Sequence, residues 1–199
     1  MFTGIIESIG EIVSIKSFEN LSTFQIKSNL SIKDSKIGDS FSINGTCLTV
    51  TEIEKGLFSF DVVMESLKKT NFSLLSEGHF VNIEQAVKLN GRLNGHLVQG
   101  HVESMAKILK IENNDNEVRF KISLDANLLK YCIYKGSICV DGISLTIAEI
   151  SDTDIELAII PHTFNNTNLK YKKIDNMVNI ETDMISKYVH RFIKEMDIK

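Results

Sequence analysis

Val81-Asn82-Ile83-Glu84 recurs as Val178-Asn179-Ile180-Glu181, 97 positions further along the chain. At the same offset Asn44 to Glu52 (NGTCLTVTE) lies over Asp141 to Glu149 (DGISLTIAE), and Leu67 to Asn71 lies over Phe164 to Asn168. Nearer the start the offset is 96: Gly4-Ile5-Ile6-Glu7-Ser8 falls over Gly100-His101-Val102-Glu103-Ser104, and Phe24 to Lys27 over Phe120 to Ser123. One residue of slippage between Phe24 and Asn44 reconciles the two registers, an ordinary loop change. Several matches in order at one offset exclude coincidence. Two copies of this length are too few and too long for a solenoid. The chain is a duplicated domain: one copy over about 1–87, an Asn- and Gly-rich connector over about 88–96, and a second copy over about 97–183. With the connector counted in the first unit, the expected domains are 1–96, 97–183 and a terminal helix over 184–199.

Each copy reads as all-β. Short runs of β-branched and aromatic residues recur at Ile12–Ile15, Thr23–Ile26, Phe41–Ile43, Leu48–Thr51, Leu57–Val63 and Phe80–Ile83, separated by Gly, Asn, Ser and Asp. Several alternate apolar and polar positions, as a strand with one wet face should. Six strands in so short a span leave raw edges unless the sheet closes on itself. The expectation is two similar six-stranded antiparallel Greek-key barrels. The segment from Asp183 to Lys199 has no counterpart in the first copy. Its Ile185, Tyr188, Val189, Phe192 and Met196 recur at helical spacing, with Thr182 or Asp183 as N-cap. This helix folds back on its own barrel or joins subunits. The second reading is favoured, because an element added to a complete barrel has spare apolar surface.

Composition narrows the function classes. A hydrophobic share of 43% with 24% charged residues is that of a soluble folded protein, not a disordered or fibrous one. A net charge of −4 gives no sign of a nucleic-acid or anionic-membrane partner. No apolar run approaches the roughly 18 residues needed to cross a bilayer, and no secretory signal is visible at Met1-Phe2-Thr3-Gly4. Three cysteines (Cys47, Cys132, Cys139) are an odd number in no framework spacing, so reduced thiols in a cytoplasm are expected. Cys132 and Cys139 read as buried strand cysteines.

Phosphate loops, dinucleotide fingerprints and paired CxxC motifs are absent. His96 and His101 stand five apart without an acidic or thiol ligand at metal spacing, so no metal is expected. Three arginines leave little for a clamp on a phosphorylated cofactor. The repeat supplies the lead instead. Gly45-Thr46-Cys47-Leu48-Thr49 and Gly142-Ile143-Ser144-Leu145-Thr146 are the same turn-then-strand element. A glycine entering a strand lets backbone approach a ligand and read a heterocycle's edge; the plainer reading makes both elements barrel turns. Matched positions differ in chemistry: Cys47 faces Ser144, Ile5 faces His101, and Asp61 faces Ala158. Two similar pockets with different reactive groups suit two similar ligands handled differently.

The opening Met1-Phe2-Thr3-Gly4-Ile5-Ile6-Glu7, with Asn44 to Val50, Gly95 to Val102, Lys135-Gly136-Ser137, Asp141 to Thr146 and Ile159-Ile160-Pro161-His162-Thr163, resembles the riboflavin synthase family of the alpha-chain type. The likeness runs the whole chain, including the duplication and the final helix. It implies dismutation of two 6,7-dimethyl-8-ribityllumazine molecules, one donating a four-carbon unit to the other. The products are riboflavin and 5-amino-6-ribitylaminouracil, formed with no cofactor and no metal. It further implies a homotrimer joined through the terminal helices, with the substrate pair between the N-terminal barrel of one subunit and the C-terminal barrel of a neighbour, and it admits a complex with lumazine synthase.

Carried onto matching positions, the resemblance puts the N-terminal site at Cys47, Leu48, Thr49, Asp61, Val62, Val63, Met64, Glu65 and Ser66, closed by Gly100, His101 and Val102. The C-terminal site takes Ser144, Leu145, Thr146, Ala158, Ile159, Ile160, Pro161, His162, Thr163 and Lys135, with Gly4, Ile5 and Ile6. Ser144, His101, Cys47, Asp183, Ser40 and Asp61 fall near the chemistry. His101 is the expected proton carrier, since its unperturbed pKa is nearest neutrality. Cys47 and Ser144 position or activate groups added to the ring, while Asp183 relays protons or polarises Ser144. Blander roles stay open: Asp61 as a holder of ribityl hydroxyls, and Asp183 as a helix cap. Met64 stands where the family often has proline, Ser66 where it has threonine, and Asn94 where glycine is common. The rival reading is a non-catalytic lumazine- or flavin-binding antenna of the same fold. A flavin-reductase barrel lacks its Arg-x-Tyr-Ser/Thr signature here, and an oligonucleotide-binding barrel lacks a basic aromatic face.

Overall fold

In the computed structural model, residues 1–30, 35–114 and 116–196 are described. The first barrel comprises β1 (Ser8–Ser17), β2 (Leu21–Lys27), β3 (Ser40–Ile43), β4 (Thr46–Glu54), β5 (Leu57–Val63) and β6 (Phe80–Gln85), with the short helix α1 (Met64–Lys69) after β5. The second comprises β7 (Ser104–Asn114), β8 (Glu117–Ser123), β9 (Ser137–Val140), β10 (Ile143–Ile150), β11 (Asp154–Ile159) and β12 (Met177–Thr182). Here α2 (Ala126–Leu129) precedes β9 and α3 (Pro161–Asn165) follows β11. Both sheets close, in the cyclic orders β1-β2-β5-β4-β3-β6 and β7-β8-β11-β10-β9-β12. Every pairing is antiparallel, and strands in equivalent places of the repeat occupy equivalent places in the ring. The register slips at Ile12/Ser14 and Val50/Glu52, and again at Ile108/Lys110 and Ile147/Glu149. Bulges of this kind supply the bend a small barrel needs.

Each barrel is filled by its own alternating positions. The first core is aromatic: Phe24, Phe41, Phe58, Phe60 and Phe72 are all buried, with Phe24 edge-on to Phe72 at 5.0 Å. In the second copy the matching positions are Phe120, Ile138, Ile155, Leu157 and Leu169, again buried. Burying each such side chain contributes about 1.5–3 kcal/mol. The pattern of burial is kept while volume is redistributed, as repacked cores allow. Cys139 is buried on β9 as expected; Cys132 is half-buried and follows α2 rather than lying in a strand.

The barrels meet across a buried polar seam with a pseudo-twofold relation. Asn71 donates its backbone N–H to Asn179 Oδ1 at 2.7 Å, and Asn168 donates its own to Asn82 Oδ1 at 2.6 Å. Asn82 Nδ2 reaches the Asp141 carbonyl at 2.9 Å, and Asn179 Nδ2 reaches the Asn44 carbonyl at 2.8 Å. These six residues form three repeat-related pairs: Asn44 with Asp141, Asn71 with Asn168, and Asn82 with Asn179. At its centre the turn tips touch. A Cβ on Gly45 or Gly142 would lie 2.8 Å from the other glycine's nitrogen. This corrects the expectation that these glycines bring backbone to a ligand; they admit the opposite barrel.

The helix α4 (Met184–Met196) closes the described chain, and residues 197–199 of the predicted helix lie outside the described residues. Asp183 caps it, accepting the Ile185 N–H at 2.9 Å. Lys187 pairs with Glu103 on the barrel at 2.9 Å, yet Ile185, Tyr188, Val189, Phe192, Ile193 and Met196 are each more than half exposed. Among the described residues no helix is long and apolar enough to cross a membrane.

Candidate active site

The hairpins β3–β4 and β9–β10 place the two differing residues. Asn44-Gly45 and Asp141-Gly142 both have positive φ (46° and 80°, 45° and 83°), the geometry of a two-residue type I′ turn. The strand that leaves each turn alternates from there. Cys47 and Ser144 are half-buried, Leu48 and Leu145 point into the cores, and Thr49 and Thr146 are exposed. Val62 and Ile159 are likewise core residues, so Leu48, Leu145, Val62 and Ile159 can offer a ligand backbone and not side chain.

Two segments outside the barrels reach these strands crosswise. Ser144 N–H donates to the Gly4 carbonyl at 2.8 Å, and Cys47 N–H donates to the Gly100 carbonyl at 2.8 Å. The segments also pair with each other: Phe2 N–H to Val98 O is 2.7 Å and Val98 N–H to Phe2 O is 3.1 Å. Contact is so close that a Cβ on Gly4 would lie 2.6 Å from Ser144 Cβ, and one on Gly100 2.6 Å from Cys47 Cβ. Only glycine fits at either point.

Around Ser144 the structure assembles a polar group. His96 Nδ1 lies 2.7 Å from Ser144 Oγ. The imidazole is buried, and desolvation pushes its pKa below the ordinary histidine value, against the opposing pull of the Asp183 carboxylate. Asp183, half-buried, therefore both caps α4 and places its charge toward His96. Lys135 is exposed with φ 62°, where the first copy has Gly38 at φ 93°. Ile5 and Ile160 are exposed apolar side chains, and Pro161 begins α3 with His162 exposed and Thr163 half-buried behind it. Ile6 and Ala158 are half-buried.

At the residues expected for the first site the chemistry differs. Asp61 is exposed and accepts the Thr23 hydroxyl at 2.6 Å. Val63 and Met64 are exposed at the β5–α1 corner, Glu65 pairs with Lys69 at 2.7 Å, and the Ser66 carbonyl accepts the Thr70 hydroxyl at 2.6 Å. Ser40 sits on β3 opposite Thr49. His101 is exposed; its backbone N–H donates to Glu181 Oε2 at 2.9 Å, and its neighbour Val102 is half-buried. In this chain, then, it is His96 and not His101 that touches Ser144. In the sequence His96 stood out only as half of a His pair without further metal ligands and within the Gly95 to Val102 segment; nothing linked it to Ser144, because it lies at the connector's end and has no partner in the first copy. The connector's end is not free linker: His96 N–H donates to the Thr3 carbonyl at 3.1 Å. Among the described residues no three His, Cys, Asp or Glu side chains group to hold a metal ion.

The chain matches the family model described as "Lumazine binding domain" twice, over residues 3–86 and 99–183. It is 44% identical over 193 residues to the riboflavin synthase of Bacillus subtilis (strain 168), covering 97% of this chain and 90% of that protein. It is 40% identical to the riboflavin synthase of Escherichia coli (strain K12), covering 92% of this chain and 87% of the relative. Among solved structures it is similar to LumP complexed with riboflavin (TM-score 0.86, 26% identity) and to LumP complexed with 6,7-dimethyl-8-(1'-D-ribityl) lumazine (TM-score 0.84, 25% identity). Each match covers 92% of this chain and 99% of that one.

Proposed function

The chain belongs to the riboflavin synthase family of lumazine-binding proteins, and from that premise we propose that it converts two molecules of 6,7-dimethyl-8-ribityllumazine into riboflavin and 5-amino-6-ribitylaminouracil. One lumazine gives up a four-carbon unit to the other. The observation that carries this reading is the crossed pair of hydrogen bonds, Ser144 N–H to the Gly4 carbonyl and Cys47 N–H to the Gly100 carbonyl. The duplication presents two equivalent strands to ligand, each closed by an equivalent segment, but arms one with a thiol and the other with a hydroxyl beside an imidazole.

The chemistry asks for orientation and proton movement. The lumazine 7-methyl is acidic because its carbanion delocalises into the ring system. A neutral His96, held so by burial, can take the Ser144 hydroxyl proton as Oγ engages the ring. Asp183 favours the imidazolium that results. Cys47 and Ser40 face the other lumazine, Asp61 holds its ribityl hydroxyls, and His101 lies exposed next to the Gly100 carbonyl that takes the Cys47 N–H. Lys135 and the residues at 4–6 and 158–163 wall the second site; those at 61–66 and 100–102 wall the first.

A homotrimer brings the N-terminal site of one chain against the C-terminal site of the next. The unpartnered apolar face of α4 supports this assembly, and a lumazine synthase complex is compatible with it. Three free thiols support a reducing, cytoplasmic setting. The test is direct: purified protein is given dimethylribityllumazine alone, and absorbance is followed. One riboflavin forms for every two lumazines consumed. Binding without any riboflavin would make the protein an antenna and end the proposal.

A further inference from the structure

The Val-Asn-Ile-Glu motif that exposed the duplication has a role the site description leaves unused. Its glutamates, Glu84 on β6 and Glu181 on β12, are 3% and 2% exposed. Among the described residues neither pairs with a lysine, arginine or histidine. A carboxylate buried without a cation is retained only where fixed donors replace its water. Both have such donors, and all come from the crossing segments. Glu84 accepts Thr3 N–H at 2.7 Å, Thr3 Oγ1–H at 2.7 Å and Gly4 N–H at 3.0 Å. Glu181 accepts Gln99 N–H at 2.7 Å, Gly100 N–H at 2.9 Å and His101 N–H at 2.9 Å.

The register explains why these positions serve. Glu84 lies beside Ser42, and Ser42 beside Cys47, in one row across β6-β3-β4. Glu181, Cys139 and Ser144 form the equivalent row across β12-β9-β10. Each row carries a clamp at one end and a reactive residue at the other. The clamp does not act on its own row. Glu84 holds Gly4, whose carbonyl takes the Ser144 N–H in the second barrel, while Glu181 holds Gly100, whose carbonyl takes the Cys47 N–H in the first. Between them the Phe2–Val98 bridge and buried Cys139 fill the centre, and burial with both carboxylates facing it pushes the Cys139 thiol well up.

We propose that Glu84 and Glu181 are crossed positioning residues, each fixing the backbone that closes the reactive strand of the opposite barrel. The assignment rests on the proposed reaction for its kinetic consequence but not for its structural one. Each carboxylate uses both oxygens as acceptors, so glutamine keeps the volume and loses acceptor capacity, turning an NH₂ group toward N–H donors.

Backbone amide exchange in the intact protein tests this. Glu84→Gln deprotects the Ser144 amide at least about ten-fold and leaves Cys47 unchanged. Glu181→Gln deprotects Cys47 and leaves Ser144 unchanged. Each lowers kcat about ten- to a hundred-fold with a smaller change in KM, the expected scale for displaced reacting groups. Faster exchange confined to the mutated barrel's own core amides, such as those of Val50 and Phe60 in Glu84→Gln, overturns the proposal, as does no change at either amide. Should a glutamine variant not fold, Thr3→Val, which removes one donor to Glu84, and Glu181→Asp, which withdraws the carboxylate by one methylene, are read the same way. A wild-type protein that forms no riboflavin defeats the functional reading, while the crossed exchange pattern still decides the clamp.

Discussion

Lys172 Nζ lies 2.7 Å from Asp141 Oδ2 in the interbarrel seam, with the lysine side chain 13% and the aspartate side chain 0% exposed. In the first copy the equivalent positions are Leu75 and Asn44. The first copy thus has two uncharged residues at the positions where the second has an ion pair. Removing one partner of a buried pair strands the other charge, at about 3–5 kcal/mol. Lys172→Leu alone is therefore expected to lower the urea midpoint sharply. Lys172→Leu with Asp141→Asn restores the first copy's residue types, removes both charges together, and is expected to recover most of that loss. A double variant no better than the single one would refute the symmetry argument.

Ser144→Ala and His96→Ala each remove half of the 2.7 Å contact. Loss of a positioned acid–base group costs about 10²–10⁴-fold in rate. Single-turnover riboflavin formation by either variant is expected to fall in that range, and the double variant no further than the worse single one. His101→Ala is expected to cost less, because His101 is exposed. Independent, multiplicative losses at 96 and 144 would show that the two do not act as a unit.

Stability carries the signature of buried His96. Its pKa is lowered by burial in the folded state, against about 6.5 in the unfolded chain. Between those values the unfolded state binds the extra proton. The contribution is whole above about pH 6.5, falls as pH drops through that value, and levels off below the folded value, with a slope up to about 1.4 kcal/mol per pH unit. His96→Gln removes this component. Denaturant titrations of both proteins between pH 5 and 8 check it; parallel curves contradict the assignment.

Lys135 holds a left-handed backbone where the first copy places glycine. Non-glycine residues pay about 1–2 kcal/mol there, offset in part by the chain entropy of glycine. Lys135→Gly is expected to leave stability unchanged or raise it by up to about 1 kcal/mol, while weakening lumazine binding. Equilibrium titration of lumazine fluorescence reads the second effect; unaltered affinity removes Lys135 from the site.

The exposed apolar stripe of α4 gives the last expectation. Phe192→Asp, at a side chain 61% exposed in the single chain, is expected to cost little within the chain but to place a charge in the proposed intersubunit contact. Sedimentation is expected to show the wild type as trimer and the variant as smaller species, with riboflavin formation lost in parallel. A monomeric wild type would refute the assembly.

The barrels were legible because strand alternation and turn residues are local signals, and the repeat supplied each twice. Cys47 and Ser144 were legible as a mismatch within a match. His96 was not: a histidine in a Gly- and Asn-rich connector has no pattern of its own. At Gly45 and Gly142 a ligand approach and a plain barrel turn both stayed open, because a tight turn at a barrel tip looks the same whether a ligand or another barrel approaches it.

The order of residues alone fixed the duplication, the period-2 burial and the amphipathic terminal helix, since each depends on near neighbours along the chain. Spacing alone did not say which of the two copies a segment serves; only the family resemblance carried residues 4–6 to the second site and 100–102 to the first. That was decided in three dimensions, where the Phe2–Val98 pairing carries residues 3–4 and 99–101 across the seam. Hydrogen bonds between residues some fifty to a hundred and forty positions apart, such as Cys47 to Gly100 and Ser144 to Gly4, leave no periodic trace, because their geometry is set by packed barrels rather than by spacing.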